Sequence, residues 1–123
     1  MTGVQTCALP ISELCALGAR LAVVTLGEYG ALARYGERVI ESPAYRVDAR
    51  DTTGAGDVFH AAFVWGLLEG LACEPILRTA NAAAAMSCRA LGAQGGLPTR
   101  SELMAFLREQ RPTIWREPER GSR

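Results

Sequence analysis

The sequence has no excess of charge of either sign, since 13 basic and 13 acidic side chains cancel among its 123 residues. A protein that binds nucleic acid through bulk positive charge is therefore not expected. Hydrophobic residues make up 49% of the chain and charged residues 21%, which also argues against a disordered protein. An acidic ligand, if one binds, must be held by local backbone geometry or by a bound cation.

Long apolar runs and paired cysteines are also missing. No stretch reaches the roughly 18 apolar residues that a membrane span needs, and the N-terminus lacks the basic region and apolar core of a signal peptide. The four cysteines contain no CxxC pair, which argues against a zinc site and favours free thiols in a reducing compartment. We therefore expect one small cytoplasmic domain with no membrane partner.

The first eleven residues, MTGVQTCALPI, show neither helical nor strand periodicity. They resemble a translated sequencing adapter at every position, provided that a GTG start codon supplies Met1. We therefore predict that residues 1–11 are not native, and the fold prediction begins near Ser12. Residues 12–17 are expected to end a helix that Gly18 stops.

The remaining pattern predicts strands first and helices afterwards. LAVVT, residues 21–25, is continuously apolar and β-branched, which is typical of a strand that is buried on both faces. Such a strand needs parallel neighbours, and these need not lie within this chain. ALARY (31–35) and RVIES (38–42) predict a hairpin, and residues 45–50 a further short strand. Helices are predicted over residues 58–70, over 75–91, and from a capping box at Thr99 and Glu102 to about Glu109. The tail, 111–123, is expected to be loose, and the order indicates part of a layered α/β domain.

The segment DTTGAGD, residues 51–57, places two glycines where a helix is expected to begin. Glycines permit a positive φ, and the first amides of a helix point outward with the positive end of the helix dipole behind them, which suits a phosphate. Asp57 could then accept the proton of a hydroxyl that attacks phosphorus. The simpler alternative is an ordinary glycine turn in which Asp57 only offsets the helix dipole. Phe59 stands where a dinucleotide-binding GxGxxG needs glycine, and no GxxxxGK[ST] motif is present.

Three segments together resemble the PfkB-type, ribokinase-like carbohydrate kinases: TLGEYG at 25–30, DTTGAGD with VFHAAF after it, and NAAAAMSCRALGAQGGLP at 81–98. The resemblance covers about residues 13–107 and not the N-terminal half of that family. It implies a partial three-layer α/β/α sandwich in which residues 12–110 form the C-terminal, ATP-side portion. The implied reaction is transfer of the γ-phosphate of ATP to a sugar hydroxyl.

The resemblance also implies roles for individual residues. Asp57 would be the catalytic base, and Gly54, Ala55 and Gly56 would form the anion hole. The nucleotide would lie beside Thr25, Gly27 and Asn81, although Asn81 could instead face solvent. A monovalent cation such as K⁺ would be surrounded by Asp51, Thr53, Ser87, Ala90, Gly92 and Gly96. Alternatively, Asp51 hydrogen-bonds only its own turn.

The remaining predictions concern His60, Mg²⁺ and the binding partners. His60, the only histidine, is expected to be packed rather than to act as a second acid or base. Mg²⁺ would travel with ATP, held by phosphates and water. The partners would be ATP and a small sugar-type substrate, with a homodimer possible in the full-length parent. The chain alone is expected to be inactive, and two alternatives stay open: a nucleotide-binding module without chemistry, and a non-functional truncation product.

Overall fold

The computed structural model describes residues 11–89 and 98–112. Its sheet contains three strands, β1 (Leu21–Thr25), β2 (Ala31–Tyr35) and β3 (Arg38–Ser42), in the spatial order β1-β2-β3. The predicted hairpin is confirmed, because Tyr35 pairs with Arg38 in an antiparallel register. Gly36 lies in the turn with φ 62°, a left-handed angle that glycine adopts without strain.

β1 is less enclosed than its composition predicts. It pairs antiparallel with β2, not with parallel neighbours, and Ala22 is its only buried residue. Within the described ranges its second edge has no partner strand. The expectation of a strand buried on both faces is therefore wrong for these residues, although the apolar composition that suggested it is real.

The strand predicted over residues 45–50 is also wrong, since this segment forms no regular structure. The chain leaves β3 at Pro43, which has no N–H to donate to a strand ladder. The Tyr45 side chain is buried against Phe106, with ring centroids 5.1 Å apart. The segment is held by side-chain packing rather than by pairing.

Three helices follow: α1 (Ala55–Leu68), α2 (Cys73–Ser87) and α3 (Arg100–Glu109). α1 begins three residues before the predicted start, because Gly54 at φ 79° turns the chain directly into the helix. α2 begins two residues before the prediction and ends at Ser87, while residues 90 and 91 lie outside the described ranges. The capping box of α3 is confirmed by reciprocal bonds, Thr99 N–H to Glu102 Oε1 at 2.8 Å and Glu102 N–H to Thr99 Oγ1 at 3.1 Å.

The sheet lies between two helical layers. On one face, Leu77 and Ala80 of α2 and Phe59 of α1 pack against Ala31, Ala33 and Ile40. On the other face, Ile11 in a helical segment over residues 11–16 packs against Ala22 and Leu32. Ile11 is 1% exposed, so the structure includes in its core a residue that the fold prediction left out. Across the described ranges no helix combines the length and the apolar character that a bilayer span requires.

Candidate active site

The DTTGAGD segment forms the turn that leads into α1. Asp51 Oδ1 accepts a hydrogen bond from the Thr53 N–H at 2.9 Å, and the Ala55 N–H donates to the Thr52 carbonyl at 3.1 Å. Gly54 occupies the position before the helix with φ 79° and ψ 2°. An L-residue with a side chain would be strained there, so the glycine is needed for the turn.

The first turn of α1 leaves amides open. Within the described part of the chain, the N–H groups of Gly56 and Asp57 have no acceptor, whereas that of Ala55 is committed to the turn. A side chain built at Gly56 would meet no atom within 4 Å, and the Asp57 carboxylate in the same turn is exposed. Among the described residues, the end of the helix that carries partial positive charge is therefore uncovered at Gly56, beside one carboxylate.

The start of this turn is tied to the end of α2. The Cys88 carbonyl accepts hydrogen bonds from the Arg50 N–H at 2.7 Å and the Asp51 N–H at 3.2 Å. Residue 88 directly follows Ser87, so the tertiary structure brings Ser87 to the segment that contains Asp51 and Thr53. These three are the described members of the predicted cation site; Ala90, Gly92 and Gly96 lie outside the described residues.

The predicted nucleotide residues of the TLGEYG segment lie at the end of β1. Thr25 and Gly27 are both exposed, and Gly27, with φ 59°, opens a short 3-10 turn that ends at Tyr29. Gly30 closes the segment and is buried with φ 103°. A Cβ at Gly30 would collide with the Ser42 carbonyl and approach Ala44 N to 2.7 Å. Glycine at this position therefore allows the TLGEYG turn to press against the end of β3.

The Asn81 side chain is buried next to the contact between Gly30 and the end of β3. It is 6% exposed, so the alternative that it faces solvent is wrong. Its Nδ2 donates to the Ser42 carbonyl at 3.1 Å and to Ser42 Oγ at 3.0 Å. The Ser42 carbonyl also lies against Gly30. Asn81 of α2 therefore holds the end of β3 against which the TLGEYG turn packs.

His60 differs from its prediction. It is exposed, with its ring edge-on to Phe59 at a centroid distance of 6.1 Å, so the expectation of a packed histidine is wrong. His60 and Thr25 are the polar residues that line a groove of about 370 Å³ between β1 and α1. The apolar wall of this groove is Leu21, Val23, Phe59, Phe63 and Leu67.

Two supporting residues could not be found from the sequence. Ser42 and Cys88 act mainly through backbone carbonyls, which carry no signal in a residue pattern. Only the pairing of β2 with β3 and the end of α2 bring these carbonyls to the turns that they hold.

The described residues contain no group of three or more His, Cys, Asp or Glu side chains that could hold a metal ion. The available protein donors near the DTTGAGD turn are instead carbonyl groups and single carboxylates. Such a set fits a metal that arrives with phosphates and keeps several waters, as magnesium does.

Comparison with known sequences identifies the family. Residues 6–100 match the sequence model of the pfkB family of carbohydrate kinases. The chain belongs to this family. It is 44% identical to ribokinase of Bacillus subtilis over 99 residues, which is 80% of this chain and 34% of that protein. It is 38% identical over 95 residues to 2-dehydro-3-deoxygluconokinase of the same organism, covering 76% of this chain and 29% of that one.

Solved structures of pfkB-family relatives have the same fold. The crystal structure of ribokinase from Thermotoga maritima matches with a TM-score of 0.77 and 37% identity, covering 88% of this chain and 35% of that one. Ribokinase of Arabidopsis thaliana, solved with ribose and ATP, matches with a TM-score of 0.74 and 34% identity, covering 84% and 34%. The prediction of a partial ribokinase-like α/β fold is therefore confirmed. The chain spans about a third of the length of the curated relatives cited above, 34% and 29%.

Proposed function

We propose that this chain forms the phosphate-handling part of a carbohydrate kinase that transfers the γ-phosphate of ATP to a sugar hydroxyl. The observation that carries the proposal is the first turn of α1, where the open amides of Gly56 and Asp57 lie beside an exposed carboxylate. Membership of the family supports it, as does the relative solved with ribose and ATP.

In the proposed step Asp57 acts as the base. The sugar oxygen forms a bond to the γ-phosphorus as the bond from that phosphorus to the β–γ bridging oxygen breaks. ADP departs with that electron pair, and the hydroxyl proton passes to the Asp57 carboxylate. The turn of Gly54, Ala55 and Gly56 would stabilise the phosphoryl group, because amide dipoles that are fixed in advance stabilise charge that develops beside them. Of these residues, Gly56 has the open amide, to which the Asp57 N–H adds a second.

The nucleotide would lie along the exposed end of β1. Thr25 and Gly27 are open to it, while the buried Asn81 would act through the turn that it supports. Magnesium bound to the phosphates would neutralise their charge. Asp51, Thr53 and the carbonyl of Ser87 would contribute to a monovalent cation site beside the anion hole, together with Ala90, Gly92 and Gly96.

A binding module without chemistry is the second candidate. It is favoured by the share of the relatives that this chain spans, because the matched residues make up only 34% of Bacillus subtilis ribokinase. Isothermal titration of the isolated chain with ATP, next to a coupled kinase assay, separates the two. Binding without turnover in every context would favour the module.

The test of the kinase proposal is a chimera in which this chain replaces the matched third of Bacillus subtilis ribokinase. We expect the chimera to phosphorylate ribose, because the rest of it comes from a ribokinase. Asp57→Asn should lower kcat by about 100-fold or more, the usual worth of a general base, with ATP affinity nearly unchanged. Asp48→Asn is the matched control, since Asp48 is also exposed but precedes the turn. Unchanged turnover of the Asp57→Asn chimera would contradict the assigned role.

A further inference from the structure

An open cavity lies at the end of the sheet opposite the candidate active site. Tyr35 and Arg38 pair at this end, whereas Thr25 and the TLGEYG turn lie at the other. A strand of this length separates the two ends by about 13 Å. The cavity, of about 720 Å³, lies between the helical segment over residues 11–16 and the turn that joins β2 to β3. It is therefore separate from the DTTGAGD turn.

The wall of this cavity is basic. Of the described residues that line it, Glu37 is the single acidic one, and the basic ones are Arg20, Arg34 and Arg38. Three guanidinium groups against one carboxylate leave a local excess of two positive charges, which a chain with no net charge does not reveal in its composition. A concave wall of one sign raises the local concentration of ions of the opposite sign. A ligand of this cavity would therefore carry negative charge.

Arg34 is held in this wall by neutral acceptors. Its Nε donates to the Gly36 carbonyl at 3.0 Å, and its Nη1 donates to Ser12 Oγ at 2.8 Å. The side chain is half-buried, and within the described ranges no carboxylate forms an ion pair with it. A guanidinium that is already oriented and lacks a counter-ion is suited to bind an oxyanion through its remaining N–H groups.

The other two arginines also have donors to offer. Arg20 is exposed, and its side chain has no hydrogen bond or ion pair with any other described residue. Arg38 uses one terminal nitrogen for an exposed ion pair with Glu74 at 3.3 Å, a contact that water and salt weaken. Two guanidinium groups without a counter-ion match the nearly two charges of a phosphate group better than the single charge of a carboxylate.

The remainder of the lining is small and apolar. It comprises Cys15, Ala16 and Ala19 beside the ring of Tyr35, which is 54% exposed. Cavities that bind small organic molecules have volumes of about 300–1,000 Å³ and combine apolar walls with a few placed polar groups. An inorganic phosphate ion would occupy only the basic part of this cavity, whereas an organic phosphate would also cover the apolar part.

We propose that this cavity binds a small organic phosphate, with Arg34 and Arg20 as the residues that hold the phosphate group. Ser12 positions Arg34 for this contact, and the apolar wall packs against the organic body. Inorganic phosphate carries the same group, so the experiment must distinguish the two sources. The proposal does not depend on the proposed phosphoryl transfer, because the two sites lie at opposite ends of the sheet.

The test is a titration of the full 123-residue chain, followed by NMR at the amide of Gly36, which lines the cavity. Phenyl phosphate should shift this signal saturably and bind more tightly than inorganic phosphate, while acetate should not shift it. Arg34→Gln should weaken the binding of phenyl phosphate about tenfold or more, because charge-assisted hydrogen bonds are lost. Arg20→Gln is a second variant, at an exposed position that supports no packing. Arg78→Gln is the matched control, since Arg78 is exposed on α2 and does not line the cavity.

The amides of Gly56 and Asp57 report the proposed anion hole in the same spectra. A Gly36 shift that Arg34→Gln removes, without any response at Gly56, would contradict the proposed function while supporting this inference. Four results would overturn the inference: no saturable shift of Gly36 up to about 10 mM phenyl phosphate, an equal response to acetate, inorganic phosphate bound at least as tightly as phenyl phosphate, or unchanged affinity in Arg20→Gln. Should Arg34→Gln not fold, Arg20→Gln decides.

Discussion

Tyr45 shows how one residue can both stabilise the core and weaken it. Its ring packs edge-to-face against Phe106, between α2 and α3, and a pair of this kind adds roughly 1 kcal/mol beyond the area it buries. Its hydroxyl, however, is buried with no hydrogen-bond partner among the described residues. A polar atom in this situation has lost water without compensation.

Removing that hydroxyl should stabilise the protein. We expect Tyr45→Phe to raise the free energy of unfolding by about 1 kcal/mol, because the aromatic contact remains and the unpaired oxygen disappears. Urea denaturation measures the change. Tyr35→Phe is the control, since Tyr35 is 54% exposed on the hairpin and should be neutral. A loss of stability in Tyr45→Phe would mean that the hydroxyl has a partner.

At the scale of elements, α1 and α3 begin in opposite ways. α3 has a capping box between Thr99 and Glu102, a purely local arrangement, and its predicted start is confirmed. α1 has no side-chain cap, and within the described residues the N–H groups of Gly56 and Asp57 in its first turn have no acceptor. The start of α3 is thus closed by its own side chains, whereas the start of α1 keeps two amides free for the proposed anion.

The cap of α3 can be measured directly. Thr99→Ala should lower the free energy of unfolding by about 1 kcal/mol, because the Glu102 N–H loses its acceptor. Thr99→Ser retains a hydroxyl at the same place and should lose much less. Equal losses in the two variants, by urea denaturation, would assign the effect to the methyl group instead of the cap.

The elements that were predicted correctly are those specified by neighbouring residues. The hairpin follows from two alternating runs around Gly36, and α3 from its capping box. The segment over residues 45–50 alternates in the same manner but finds no strand to pair with. Local alternation cannot reveal whether a partner strand is within reach.

For the whole molecule, α2 is the element that joins the parts of the candidate site. Asn81 binds the end of β3 at Ser42, and the carbonyl of Cys88 binds the start of the DTTGAGD segment. The TLGEYG turn and the DTTGAGD turn are therefore fixed to the same helix, one at its middle and one at its end.

Asn81 should consequently matter for global stability. Asn81→Ala leaves the buried Ser42 without its donor, so we expect a loss of about 1–3 kcal/mol in the free energy of unfolding. Arg78→Ala, an exposed change on the same helix, should stay within about 0.5 kcal/mol. Hydrogen exchange should show faster opening at β3 in the first variant only. An Asn81→Ala protein as stable as the parent would remove Asn81 from this role.

The sequence by itself determined the family, through a match over residues 6–100. It also determined the hairpin and α3, because each of these is specified by residues close together in the chain. Only the tertiary structure decided that Asn81 is buried under the TLGEYG turn, that His60 is exposed, and that Cys88 holds Asp51. These features depend on backbone carbonyls and on which faces of the helices are covered. Such contacts join residues up to 39 positions apart, as for Asn81 and Ser42, and no local pattern records them.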